Sequence, residues 1–220
     1  MSCTIIEQKE GYFTHALNTG KREARGDVVV FTDEDAILPR KWLERWVGYH
    51  RLYRTAVGIG SRDIYLDLNR LRILLTPDDA PSTRLYRWLI RTWREKPHPL
   101  LRKYRLGVYI TKDYNIVHGP YIPYRHCFSL PFRGVNMSFK SEYICDVWFP
   151  EHPSLKRAPG NEQYFGLQLI LKGHDIIYTP NNPVLHIVRE SLSRTRDKVS
   201  LENEVKVMRS LIRSLLEKAQ

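Results

Sequence analysis

The chain has 220 residues, 35 Lys+Arg against 24 Asp+Glu and a formal net charge of +11. With 42% hydrophobic and 27% charged residues it is neither disordered nor collagen-like, and its length suits one layered domain. No apolar run reaches the ~20 residues of a membrane-spanning helix, and the N-terminus lacks the apolar core of a secretion signal. The positive excess asks for an anionic partner, whether nucleic acid, a phosphorylated small molecule or anionic lipid. Cys3, Cys127 and Cys145 are odd in number and contain no Cys-x-x-Cys pair. They read as small buried or half-buried side chains in a reducing cytosol.

In chain order, Cys3–Ile6 reads as a strand and Tyr12–Arg25 as a helix. Asp27–Thr32 is a β-branched apolar run behind Gly26, the pattern of a strand buried on both faces in a parallel sheet. Pro39 opens a helix with the apolar stripe Trp42, Leu43, Trp46 and Val47, and Ala56–Ile59 reads as a further strand. Alternating strand and helix predicts an α/β sandwich. Residues 62–133 differ, being rich in Pro, Tyr and Arg. Within them Thr83–Glu95 predicts a helix with Arg84, Arg87, Arg91 and Arg94 on one face and Leu85, Trp88, Leu89 and Trp93 mostly elsewhere. That helix is read first as a surface helix with a solvated Arg face, then as a dock for an anionic membrane surface. Nucleic acid ranks last, since no helix-turn-helix, zinc-finger or RNP pattern accompanies it. Further on, Gly134–Phe139 predicts a strand, Glu142–Cys145 a helical turn, and Gly160–Lys172 a helix stopped by Gly173. Asp175–Tyr178 predicts a strand, and Ser200–Ala219 an amphipathic helix.

Chemistry concentrates in three places. Asp33-Glu34-Asp35 follows the apolar strand, where open α/β sheets form their ligand crevice. Asp33 and Asp35 project to one side and could share a hard cation, although an acidic turn capping the next helix fits the same residues. Glu162 lies in the first turn of a helix, where the dipole favours a carboxylate in any case. His186 ends the Pro183-Val184-Leu185-His186 segment, where a structural histidine at a strand end fits the pattern.

The order of these segments is informative. Ala16-Leu17-Asn18-Thr19-Gly20, Ala24-Arg25-Gly26-Asp27, the apolar strand, Asp33-Glu34-Asp35 and Trp42-Leu43-Glu44 form one series. It resembles family 2 glycosyltransferases of the GT-A fold. Gly134, Asn136, Met137 and Phe139 resemble the family's G-x-N-x-x-F segment. Gly160–Leu169 resembles its Gly-Glu-Asp-x-Glu-Leu-Gly-Leu-Arg-Leu helix, and Val184–His186 its closing Val-x-His. The resemblance covers about residues 1–60 and 134–190.

The resemblance implies an α/β, GT-A-like sandwich with a mixed, mainly parallel sheet. Asp33, Asp35 and His186 would hold Mn²⁺ or Mg²⁺ against the diphosphate of a nucleotide-sugar, with Asn18 and Gly20 near the nucleoside. Glu162 would be the general base of an inverting transfer onto an acceptor hydroxyl, saccharide or lipid-linked. The family carries Glu-Asp at this point where the chain has Asn161-Glu162. The longer side chain shifts the carboxyl by about 1.5 Å, and losing one acid eases ionisation of the other. No Gln-x-x-Arg-Trp motif follows, which points away from a processive synthase. The resemblance further implies that a strand, a helix and another strand are missing before Cys3, through a late start, a split gene or a decayed copy.

The expected organisation is a donor-side part (1–61), an insertion (62–133), an acceptor-side part (134–190) and a C-terminal helix (191–220). The expected location is the cytoplasm or the inner membrane surface, with contact through Arg84, Arg87, Arg91 and Arg94. A different-class reading is a non-catalytic subunit completing another chain, or a basic anionic-surface binding module.

Overall fold

A computed structural model of the protein describes residues 3–9, 11–188 and 197–219. Residues 189–196 and 220, which the expected partition splits between the acceptor-side part and the tail, lie outside the described residues.

The elements are α1 (Phe13–Glu23), β1 (Val28–Phe31), β2 (Ala36–Ile37), α2 (Trp42–Leu52), β3 (Ala56–Gly60), β4 (Asp63–Asp67) and β5 (Arg72–Leu74). A helical rod then runs from α3 (Pro81–Tyr86) through a π-helical turn, Arg87–Arg91, into α4 (Thr92–Arg94). After it come β6 (Val108–Ile110), β7 (Ile116–His118), β8 (Cys127–Phe128), β9 (Met137–Lys140), α5 (Ser141–Ile144), α6 (Asn161–Leu171), β10 (Asp175–Tyr178), β11 (Val184–Ile187) and α7 (Lys198–Lys218).

The central sheet has the order β1-β9-β3-β10-β8, and a second sheet has the order β2-β11-β4-β5. The α/β class stands, but the expectation of a mainly parallel sheet is corrected. Among the described residues only β3 with β10, and β4 with β11, run parallel; every other strand pair is antiparallel. The cause is β9, which inserts between β1 and β3 against both (Phe31 opposite Met137, Gly60 opposite Met137). Local periodicity cannot report a distant strand entering the sheet.

One face of this sheet buries Phe31, Phe139, Phe149 and Phe165, with the last two rings stacked at 4.4 Å. The other face buries Trp42, Trp46, Ile59 and Ile177 under α2. Each such side chain stabilises the fold by roughly 1.5–3 kcal/mol. A third cluster joins β6, β7 and the segment around Leu130 to Met208, Ile212 and Leu216 of α7.

Several expectations change. Cys3–Ile6 forms no strand, and Ile5 is 91% exposed. β-branched residues supply the propensity, but a strand also needs a neighbour to accept its ladder. Cys3 and Cys145 are exposed rather than tucked in, and only Cys127 is buried. On α2 the inward stripe is Trp42, Trp46 and His50, while Leu43 and Val47 are exposed. His50 goes inside because Ser138 Oγ of β9 meets its Nε2 at 3.0 Å, a polar partner that hydrophobic patterning does not credit.

Gly134–Asn136 is a helical turn ahead of β9 rather than part of it. The buried Asn136 accepts from Trp42 Nε1 (3.0 Å) and donates to the carbonyls of Arg62 (2.9 Å) and Asn182 (2.8 Å), which holds the chain in that turn.

The basic helix is inverted relative to expectation. Arg87 is buried, donating to the Asp78 carboxylate and to Ile122 O (3.2 Å). Arg91 pairs with Glu95 (2.6 Å) and donates to His118 O (3.3 Å). The four-arginine solvent face therefore does not exist. Buried carboxylates and carbonyls draw the guanidinium groups inward, and Leu85, Trp88, Leu89 and Trp93 face solvent.

Candidate active site

The site lies where the chain leaves β1, β3 and β10, beyond their carboxyl ends. This is the crevice position that strand polarity dictates in open α/β sheets. Asp33 and Asp35 lie in the loop from β1 to β2. The short β2 pairs with β11 (Ala36 opposite His186), and that register brings the imidazole over the acids. One ligand atom from each of Asp33, Asp35 and His186 lies within 4.8 Å of the others. His186 Nε2 is 3.3 Å from Asp35 Oδ1, while its Nδ1 is 3.1 Å from Asp63 Oδ2. Two carboxylates and an imidazole form a donor set that suits a small divalent cation.

Behind this cluster runs a buried charge chain. Asp63 opens β4 and is fully buried, with its Oδ2 also bound by Arg133 Nη1 at 2.8 Å. Among the described residues Asp63 Oδ1 has no hydrogen-bond partner. Arg133 continues to Asp78 Oδ2 (2.6 Å) and to Tyr65 Oη (2.7 Å). Asp78 closes the chain on Arg87 and on His118 Nδ1 (2.8 Å).

These contacts set the protonation states. Burial works to raise Asp63, but the His186 bond and the Arg133 charge hold it below the usual carboxylate range. The Asp63 bond lifts His186 above an ordinary histidine, against its own burial. Asp33 is raised by burial, with Asp35 and Glu34 adding to the shift against the opposing pull of His186.

Glu162 reaches the same cleft from the opposite wall. Gly160, with φ of +86°, turns the chain into α6, and a Cβ there would lie 2.4 Å from Ile116 Cδ1. Glu162 then sits half-buried in the first turn of α6. Burial pushes its carboxyl above the ordinary glutamate value, and the nearby Asp33 charge pushes the same way. The loop before α6 is fastened to α7 by the buried Glu204, which accepts from the backbone N–H of Arg157 (2.8 Å) and of Ala158 (2.9 Å) and pairs with the Arg157 guanidinium.

Asp33, Asp35, His186 and Glu162 thus line one open cleft of about 950 Å³, together with Arg133, Phe31 and the α7 side chains Leu201 and Val205. Asn18 and Gly20 are not brought to it. Asn18 is buried, its carboxamide bonded to Phe149 N (2.9 Å), Phe149 O (3.0 Å) and Glu151 (2.7 Å), so it tethers α1 to the loop before α6; Gly20 is exposed. Residues that the sequence reading missed are Asp63, Arg133, Asp78 and His118. Asp63 carried a usable signal, an acid just past the end of a fully buried strand, β3. The others come from unrelated segments and gave none.

Among the described residues no helix is long and apolar enough to cross a membrane. No curated protein matches the chain. The model of glycosyl transferase family 2 matches residues 2–113, just over half of the chain, and takes in Asp33, Asp35 and the segment after β3 that the motif resemblance left uncovered. With this match over an α/β fold, the chain belongs to glycosyl transferase family 2.

Proposed function

We propose that the chain transfers a sugar from a nucleotide-sugar to an acceptor hydroxyl, with inversion and one sugar at a time. The observation that carries this reading is the meeting of Asp33, Asp35 and His186 with Glu162 across one cleft in a family 2 chain. Asp33, Asp35 and His186 would hold Mn²⁺ or Mg²⁺, and the imidazole favours Mn²⁺. When bound, the cation supplies Lewis-acid relief of the charge that develops on the leaving diphosphate. Asp63 fixes the imidazole by binding Nδ1–H, which leaves Nε2 directed at the Asp35 side of the cleft. Glu162, raised by burial toward working pH, takes the acceptor proton as the hydroxyl attacks. Phe31, Leu201 and Val205 make part of the cleft lining apolar.

The test is calorimetric titration of Mn²⁺ with a panel of nucleoside diphosphates, on the parent chain and on Asp35→Ala. Metal-dependent nucleotide binding that Asp35→Ala abolishes is the expected result, and its absence in the parent chain overturns the enzyme reading. A second reading, a subunit completing another chain, draws on β1. Among the described residues β1 pairs with β9 alone and leaves its other edge open. A purified chain that is monomeric and turns over a nucleotide-sugar by itself rules that reading out.

A further inference from the structure

The rod α3–α4 exposes the side chains that a helix normally hides. Leu85, Trp88, Leu89 and Trp93 are 60%, 68%, 56% and 75% exposed, and they fall at helical spacings of three, one and four. Exposed apolar residues scattered singly are ordinary, but a contiguous ridge of two tryptophans and two leucines is not. Its cause is the buried pairing of Arg87 with Asp78 and the bond from Arg91 to His118 O (3.3 Å), which fix the opposite face of the rod against the protein. The helix cannot roll its apolar side inward without breaking the buried Arg87–Asp78 pair and taking Arg87 off Ile122 O.

The surroundings of the ridge say what covers it. Arg84 and Arg94 on the rod, and Lys96 just past its end, are exposed. Glu95, the acid that caps the rod, is already paired with Arg91. Beside Trp88 a cavity of about 320 Å³ is lined by Arg84, Leu85, Trp88, Tyr121, Tyr124 and Arg125. The Arg84 guanidinium lies 4.3 Å over the Tyr124 ring, so this cavity presents two arginines and aromatic walls at the foot of an apolar ridge. A second copy of the chain is a poor occupant, because docking would bring two such cationic rims together, each on a chain of +11. A surface that is apolar inside and anionic outside matches both features, and tryptophan partitions to that boundary.

We infer that the α3–α4 ridge docks the protein on an anionic lipid surface, with Trp88 and Trp93 entering the acyl boundary and Arg84, Arg94 and Arg125 meeting phosphate headgroups. The contact is made by the apolar face of the rod, with Arg87 and Arg91 serving as internal struts. It goes beyond the transfer reaction and does not depend on it.

The full chain is floated with vesicles of phosphatidylcholine alone and of equal parts phosphatidylcholine and phosphatidylglycerol. Binding to the anionic vesicles, weakened by salt, is expected. Trp88→Ser with Trp93→Ser should cut partitioning about tenfold or more, and Arg84→Glu with Arg94→Glu should abolish the preference for anionic lipid. All four positions are exposed, so the fold should persist; circular dichroism checks this. As a measurement free of variants, brominated lipid should quench the parent's tryptophan fluorescence. The inference is overturned by absence of vesicle binding, by binding that survives the double tryptophan change, by self-association that the change removes, or by RNA binding without vesicle binding.

Discussion

Replacing Asp63 by Asn isolates the support behind the metal cluster. The substitution keeps the volume and one carbonyl oxygen for Arg133, but removes the charge that His186 and Arg133 share through Oδ2 at 3.1 and 2.8 Å. Arg133 keeps Asp78 at 2.6 Å, so the remaining buried charge is still compensated, and the folding cost should be about 1–3 kcal/mol. That leaves a chain of this size folded, given typical stabilities of roughly 5–15 kcal/mol. The imidazole, however, is left with at most a neutral amide oxygen shared with Arg133, in place of the carboxylate that orients it and raises its basicity. Losing such a supporting carboxylate typically costs about 10–100-fold in metal affinity, or roughly 1.4–2.7 kcal/mol. Free Mn²⁺ is counted by electron paramagnetic resonance during titration of parent and variant, with urea midpoints checking the fold. The same change in a His186→Ala background supplies the decisive comparison. If Asp63 acts through the imidazole, its effect on Mn²⁺ affinity should vanish there. An unchanged affinity in Asp63→Asn, or an equal loss in both backgrounds, refutes the reasoning.

Glu162→Gln should leave nucleotide binding intact while lowering kcat by about 10²–10⁴, and the acid limb of the parent's pH–rate profile should lie above the ordinary glutamate value. An acid limb that persists in the variant would assign it to another group. His50 is held neutral by burial, its pKa pushed down to about 4. Above the ordinary value of 6.5 it has no effect, and as pH falls from 6.5 toward 4 only the unfolded chain takes the proton. About 2 kcal/mol of stability should therefore be lost by pH 5. Comparing urea midpoints at pH 7 and 5 in parent and His50→Gln tests this, since parallel losses would clear His50. Glu204→Ala strips the acceptor from the N–H groups of Arg157 and Ala158 and the carboxylate from the Arg157 guanidinium, which keeps Ser200, at about 3–5 kcal/mol, whereas Glu204→Gln keeps one acceptor and should cost distinctly less. Equal melting temperatures for the two variants would show that the carboxylate does not fasten the loop before Glu162.

The sequence by itself determined the features that each segment encodes within its own few residues. The apolar run of β1 and the acids after it, the α6 helix between Gly160 and Gly173, β10 and the tail helix all show in local pattern, because side-chain period and chain-stopping glycines act locally. So did the nomination of Asp33, Asp35, Glu162 and His186, whose order along the chain resembles one family. Only the tertiary structure decided which strands lie side by side. β9 enters between β1 and β3, Cys3–Ile6 finds no pairing strand among the described residues, and His186 crosses to Asp35 through the pairing of β2 with β11. It likewise decided the fate of the charges. Asp63, Arg133, Asp78 and Arg87 come from four separate segments, and their pairing turns the basic helix inside out. The reason is the same in both cases. A periodic pattern shows that a residue wants burial or a charge wants a partner, but the partner is chosen by strand pairing and desolvation across the whole chain.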